Sequence, residues 1–89
     1  MNELEKARIA IDAIDEKIAE LFVSRMKAVE SVIAYKKAND LKIFDQGREK
    51  EVIEKNMALV KEVIYKPYYE KFLVAMMTIS KDYQAKLNE

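Results

Sequence analysis

From Glu3 to Ala38 the chain runs without one glycine or proline. Along that run Leu4, Ala7, Ile11, Ile14, Ile18, Leu21, Ala28, Val32 and Tyr35 recur at a helical period close to a heptad seam. The spacing predicts one helix over about residues 3–38, about 54 Å long. A compact globule of this chain length has a radius of gyration near 12 Å and so a diameter of about 30 Å. The helix therefore overshoots any body that 89 residues can build around it. Two shorter helices cannot cover its apolar stripe from end to end. A second copy of the chain is the expected cover, with the two long helices packed on each other in a symmetric homodimer.

The remaining residues supply two further helices. Asn39-Asp40 ends the first, because these side chains compete for backbone groups and favour caps and turns. A loop through Leu41, Lys42, Ile43 and Phe44 leads to Asp45, whose carboxylate suits an N-cap. The second helix is expected over about residues 46–64, carrying Val52, Ile53, Leu59, Val60, Val63 and Ile64, with Gly47 in its first turn. Pro67 fits the first position of a third helix over about residues 67–87, where its missing amide costs nothing. Phe72, Leu73, Met76, Met77, Ile79, Tyr83 and Leu87 mark its apolar stripe. The expectation is an all-α fold, one domain spanning residues 1–89.

Composition narrows the chemistry. Sixteen Lys and Arg balance sixteen Asp and Glu, which argues against a nucleic-acid binder that depends on neutralising phosphates. With no His and no Cys there is no Ser-His-Asp triad, thiolate nucleophile, ordinary zinc site or disulfide. No metal and no cofactor are expected. No apolar run approaches the roughly 20 residues of a membrane span. The opening MNELEKAR lacks the apolar core of a signal peptide, so a soluble cytoplasmic protein is expected.

Several polar residues stand where the seams should be apolar. Continued from Leu4, the heptad register reads Ile11, Ile18, Arg25 and Val32, so Arg25 interrupts an apolar row. Alone, it is accounted for by a stem lying on the core and a tip in water, or by a role in fixing register. Lys36 lies 11 positions further on, about 20° in helical phase and about 16 Å in rise. Two long cations on one face at that spacing can converge on one small anion. Arg8 lies about 25 Å from Arg25 along the helix and cannot share that site within its own chain. Antiparallel pairing of two such helices about a midpoint near residue 20 brings Arg8 of one copy opposite residue 32 or so of the other, between Arg25 and Lys36. On the second helix, Arg48 and Glu49 follow the Asp45 cap; on the third, Ser80 and Gln84 lie one turn apart and continue the apolar stripe. Taken singly, these read as a solvated first turn and as helix glue. Together, every helix places an odd polar residue on its core-facing side.

In that order the residues resemble the all-helical, AroQ-type chorismate mutases. The first helix carries the family's run as Arg8, Ile11-Asp12, Ile14-Asp15, Ile18, Leu21 and Arg25, then Tyr35-Lys36. The second carries Asp45 followed by Arg48-Glu49, and the third Ser80 and Gln84. Gly47 between the cap and Arg48 is a small departure that bears on the local turn. The resemblance implies an intertwined homodimer of three-helix chains with two active sites. It implies rearrangement of chorismate to prephenate, on the route to phenylalanine and tyrosine. It assigns Arg25, Arg48 and Arg8 of the other chain to the two substrate carboxylates. It assigns Lys36 and Gln84 to the ether oxygen, Glu49 and the backbone at Asp45 to the ring hydroxyl, and places Ser80 near a carboxylate.

That reaction is a unimolecular pericyclic shift. The protein must hold a dianion in a compact conformer and stabilise the negative charge growing on the breaking ether oxygen. Neither task needs His or Cys. Planar guanidinium forks suit the carboxylates, and a lysine with a neutral amide suits the ether oxygen. Two other readings stay open on the residues alone. One is an isochorismate pyruvate-lyase on the same scaffold. The other is a non-catalytic helical dimerisation or regulatory module whose seam cations set register.

Overall fold

The long helix is closed at its start by a side chain and at its end by the backbone. At the start, Asn2 Oδ1 accepts from the backbone amide of Glu5 at 2.8 Å, an N-cap bond that satisfies one of the helix's orphan donors. Glu3 and Glu5 lie in the first turn, and Lys36 and Lys37 in the last, each matching the local sign of the helix dipole. At the far end, Leu41 N–H donates to Lys36 O at 2.8 Å and Asp40 N–H to Lys37 O at 3.4 Å. This pair of bonds is a Schellman closure, and it requires a left-handed residue at Asp40, where φ is 53°. Asp tolerates that conformation better than most residues because its short polar side chain bonds locally.

A computed structural model describes all residues, Met1–Glu89. It is all-helical: α1 spans Glu3–Ala38, α2 Gln46–Met57 and α3 Lys66–Leu87, with one 3-10 turn at Val63–Tyr65. The second helix is shorter than its sequence suggests, ending at Met57 rather than near residue 64. Asn56 Nδ2 bonds back to Val52 O at 2.8 Å, and Lys61 Nζ takes the carbonyl of Ala58 at 2.8 Å. The last amides tighten to i−3 partners, as in Leu59 N–H to Asn56 O at 2.9 Å. Beyond them Val60, Val63 and Ile64 are β-branched and gain little from a helix. The apolar run over 59–64 thus belongs to a turn that feeds directly into α3. That helix begins at Lys66, one residue before Pro67, which still falls among the amides that need no partner.

The third helix lies between the other two and packs against both. Tyr83 Oη donates to Glu30 Oε2 at 2.8 Å, and Lys37 Nζ to Leu87 O at 3.1 Å. These bonds pin the C-terminal end of α3 beside the C-terminal end of α1. The bond to Glu30 holds the Tyr83 phenol above its usual range, with burial and the Glu30 charge acting in the same direction.

Burial inside one chain is slight. Only Ile33, Leu73 and Ser80 are buried. The molecule measures 56 × 25 × 16 Å with a radius of gyration of 16.5 Å, against about 12 Å for a compact chain of this length. Its accessible surface is 7365 Å², where a compact monomer of this mass exposes about 5,400 Å². Leu4, Ile11 and Ile14 on the first half of α1 are each more than half exposed. No helix is long and apolar enough to cross a membrane.

Candidate active site

The three elements meet at the C-terminal end of α1. There a cavity of about 300 Å³ lies between α1, the loop before α2, the first turns of α2 and the last turns of α3. Seven of the eight residues singled out from the sequence line it: Arg25, Lys36, Asp45, Arg48, Glu49, Ser80 and Gln84. Arg8 does not line it; it lies about 25 Å up α1 from Arg25.

Each polar group is placed by a local cause. Arg25 Nη1 donates to Ser80 Oγ, a bond across 55 residues of sequence that ties the middle of α1 to α3. Burial pulls the Arg25 guanidinium below its ordinary value, and it remains a cation at neutral pH. Lys36 stands in the last turn of α1. The Schellman closure turns the chain back over it, so that Lys36 Nζ donates to Ile43 O at 3.0 Å. Asp45 is the N-cap of α2 and accepts from Arg48 N–H at 3.1 Å. A Cβ on Gly47 would lie 3.3 Å from the capping Asp45 Oδ1, so the departure at this position keeps the cap uncrowded. Arg48 turns its guanidinium to Glu51 at 2.9 Å, an exposed i,i+3 pair that contributes little and can be exchanged for a ligand. Glu49 Oε1 meets Lys81 Nζ at 2.9 Å.

The lining carries four cations, Arg25, Lys36, Arg48 and Lys81, against two carboxylates, Asp45 and Glu49. Apolar walls come from Val32, Phe44, Val52 and Met77 among others. A small cavity with surplus positive charge and apolar walls suits a compact carbon skeleton that bears more than one carboxylate.

A family model for chorismate mutase type II matches residues 7–85. The chain belongs to that family. It is an isomerase of the chorismate mutase class, and chorismate is the substrate that this membership implies. The matched span begins just before Arg8 and ends just after Gln84, so it contains all eight candidate positions. No curated protein and no solved structure matches the chain.

Within this chorismate mutase fold, sequence reasoning missed Lys81 and the carbonyl of Ile43. Lys81 lies four residues after Met77 and three before Gln84 on one helix face, but that position alone reads as a solvated lysine. The Ile43 carbonyl had no signal, because its place depends on how the loop folds back over Lys36.

A second, larger cavity adjoins the first. About 550 Å³ in volume, it is an apolar groove between α1 and α3 formed by Ile18, Leu21, Phe22, Phe72, Met76 and Ile79 among others. Arg25 and Ser80 belong to both linings and stand on the wall between them.

Proposed function

We propose that the cationic cavity is the site where chorismate rearranges to prephenate, on the route to phenylalanine and tyrosine. The observation that carries this reading is the convergence of Arg25, Lys36, Arg48, Glu49, Ser80 and Gln84 from three helices on one cavity of about 300 Å³. Arg25 and Arg48 take the two carboxylates of the substrate, with Ser80 beside Arg25 near one of them. Lys36 and Gln84 donate to the ether oxygen, where negative charge grows as the carbon–oxygen bond breaks. Glu49 and the backbone at Asp45 accept the ring hydroxyl. No residue exchanges a proton with the substrate. The rate comes from holding one conformer and from donors already in place.

The working form in this reading is an intertwined homodimer. The excess of exposed surface is on the order of 2,000 Å² per chain, which falls in the range of obligate dimer interfaces. The apolar groove and the exposed stripe of α1 are the surfaces a second copy would cover. Antiparallel pairing of two α1 helices about residue 20 brings Arg8 of the second copy opposite residue 32, and Val32 lines the cavity. Arg8 of the second copy then adds a third guanidinium between Arg25 and Lys36.

The test is an assay of chorismate loss with the product identified. Formation of prephenate, with no pyruvate released from isochorismate, is the expected result. Pyruvate release from isochorismate as the main activity points to the lyase. Inertness toward both substrates points to a dimerisation module.

A further inference from the structure

Four side-chain ion pairs occur in the chain, and three of them link residues three apart on one helix or at its end. The fourth, Lys81 to Glu49, is the one that joins two helices, and both residues line the cationic cavity. Glu49 is about three-quarters covered, with 26% of its side chain exposed, and Lys81 is about half-exposed at 47%.

Glu49 poses an electrostatic problem for this site. A dianionic ligand is repelled by a carboxylate among its contacts. A carboxylate is still the strongest acceptor for a hydroxyl. A cation on one of its oxygens resolves the conflict: the pair is neutral as a whole, and the other oxygen keeps its acceptor capacity. Lys81 meets this requirement through Oε1, leaving Oε2 for a ligand. The other cations of the lining are engaged elsewhere. Arg25 is bonded to Ser80 on α3, Lys36 to the loop carbonyl of Ile43, and Arg48 to Glu51 on the outer side of α2.

We propose that Lys81 is a positioning residue for the ring hydroxyl of the substrate: its ammonium clamps Glu49 across the α2–α3 gap, aims the free carboxylate oxygen into the cavity and offsets its charge. This rests on the site reading above. The clamp acts on a group remote from the bond that breaks, so it governs binding in the ground and transition states alike. Its loss appears in KM while kcat stays near its original value.

The experiment is a kinetic cycle on the full chain with chorismate, using Lys81→Met, Lys81→Gln, Lys81→Arg, Glu49→Gln and the Lys81→Met/Glu49→Gln double variant. Lys81→Met and Lys81→Gln are expected to raise KM about tenfold, the scale of one hydrogen bond to a charged group. Lys81→Arg restores KM to within about threefold, because a guanidinium can bond the same oxygen. In the Glu49→Gln background, Lys81→Met is expected to add less than about twofold, since a residue acting through Glu49 has nothing left to position. The melting midpoint stays within about 4 °C throughout, as expected for a half-exposed pair. An unchanged KM in Lys81→Met and Lys81→Gln, or the same KM rise with Glu49 and with Gln at position 49, overturns the clamp and leaves the site reading standing. A Glu49→Gln variant with unaltered kinetics overturns the role given to Glu49, and the clamp with it.

Discussion

The two ends of α1 share one helix and differ in almost everything else. Its C-terminal end is completed by its own chain: Ile33 is buried, Arg25 is tied to Ser80, Lys36 to Ile43 O and Glu30 to Tyr83. Its N-terminal end has its cap and little else, and Leu4, Ile11 and Ile14 stay more than half exposed. The contrast separates two kinds of information in one seam. Where polar residues interrupt the seam, the chain folds back on itself and builds a cavity. Where the seam stays purely apolar, the chain supplies no cover.

Four substitutions test that division. The largest effect is expected at the completed end. Lys36→Ala should lower kcat roughly 10²–10³-fold, the scale of losing one preorganised donor, with a nearly unchanged melting midpoint; steady-state kinetics and calorimetry check both. A parallel loss of folding would make Lys36 structural. Gln84→Glu should cost on the order of 10² in kcat at neutral pH, because a carboxylate replaces an amide donor. Activity should return as the pH falls toward the ordinary glutamate range near 4.3, where the group becomes a donor again. The wild-type amide does not titrate, so the two pH profiles should diverge in shape, and parallel profiles would remove Gln84 from the site.

The other two substitutions strike the open end. Ile18 lines the apolar groove and is 47% exposed in one chain. Ile18→Glu is therefore harmless to an isolated chain and should weaken self-association by about 10² through the cost of burying a charge. Sedimentation across a concentration series reads this directly. Arg8→Ala should have the mildest effect, a drop of roughly tenfold to 10² in kcat/KM from one charge-assisted contact. Mixing it with Lys36→Ala makes the sharper comparison. If the two variants are unfolded and refolded together and each site takes Arg8 from one copy and Lys36 from the other, half of the dimers are mixed and each carries one intact site. The mixture then recovers about a quarter of wild-type activity. No recovery would confine the site to a single chain.

Part of the lining of the candidate cavity was legible because its residues broke a rule: Arg25 in a heptad row, and Ser80 and Gln84 along an apolar stripe. Lys81 broke none, since a lysine on a helix reads as solvated until a carboxylate is found beside it. The end of α2 was misread for a related reason. The apolar run from Leu59 to Ile64 keeps a helical look, while the backbone leaves the helix through the Asn56 bond to Val52 O and the i−3 closures that follow.

By itself the sequence determined the helical class, the extent of α1 and the residues with a capacity for anions. These follow from period, caps and charge, which act over a few residues at a time. Tertiary structure decided where α2 stops, that the loop carbonyl of Ile43 receives Lys36, and that Lys81 reaches Glu49 across two helices. Those outcomes depend on groups brought together by packing from distant parts of the chain, and no local pattern encodes such a distance.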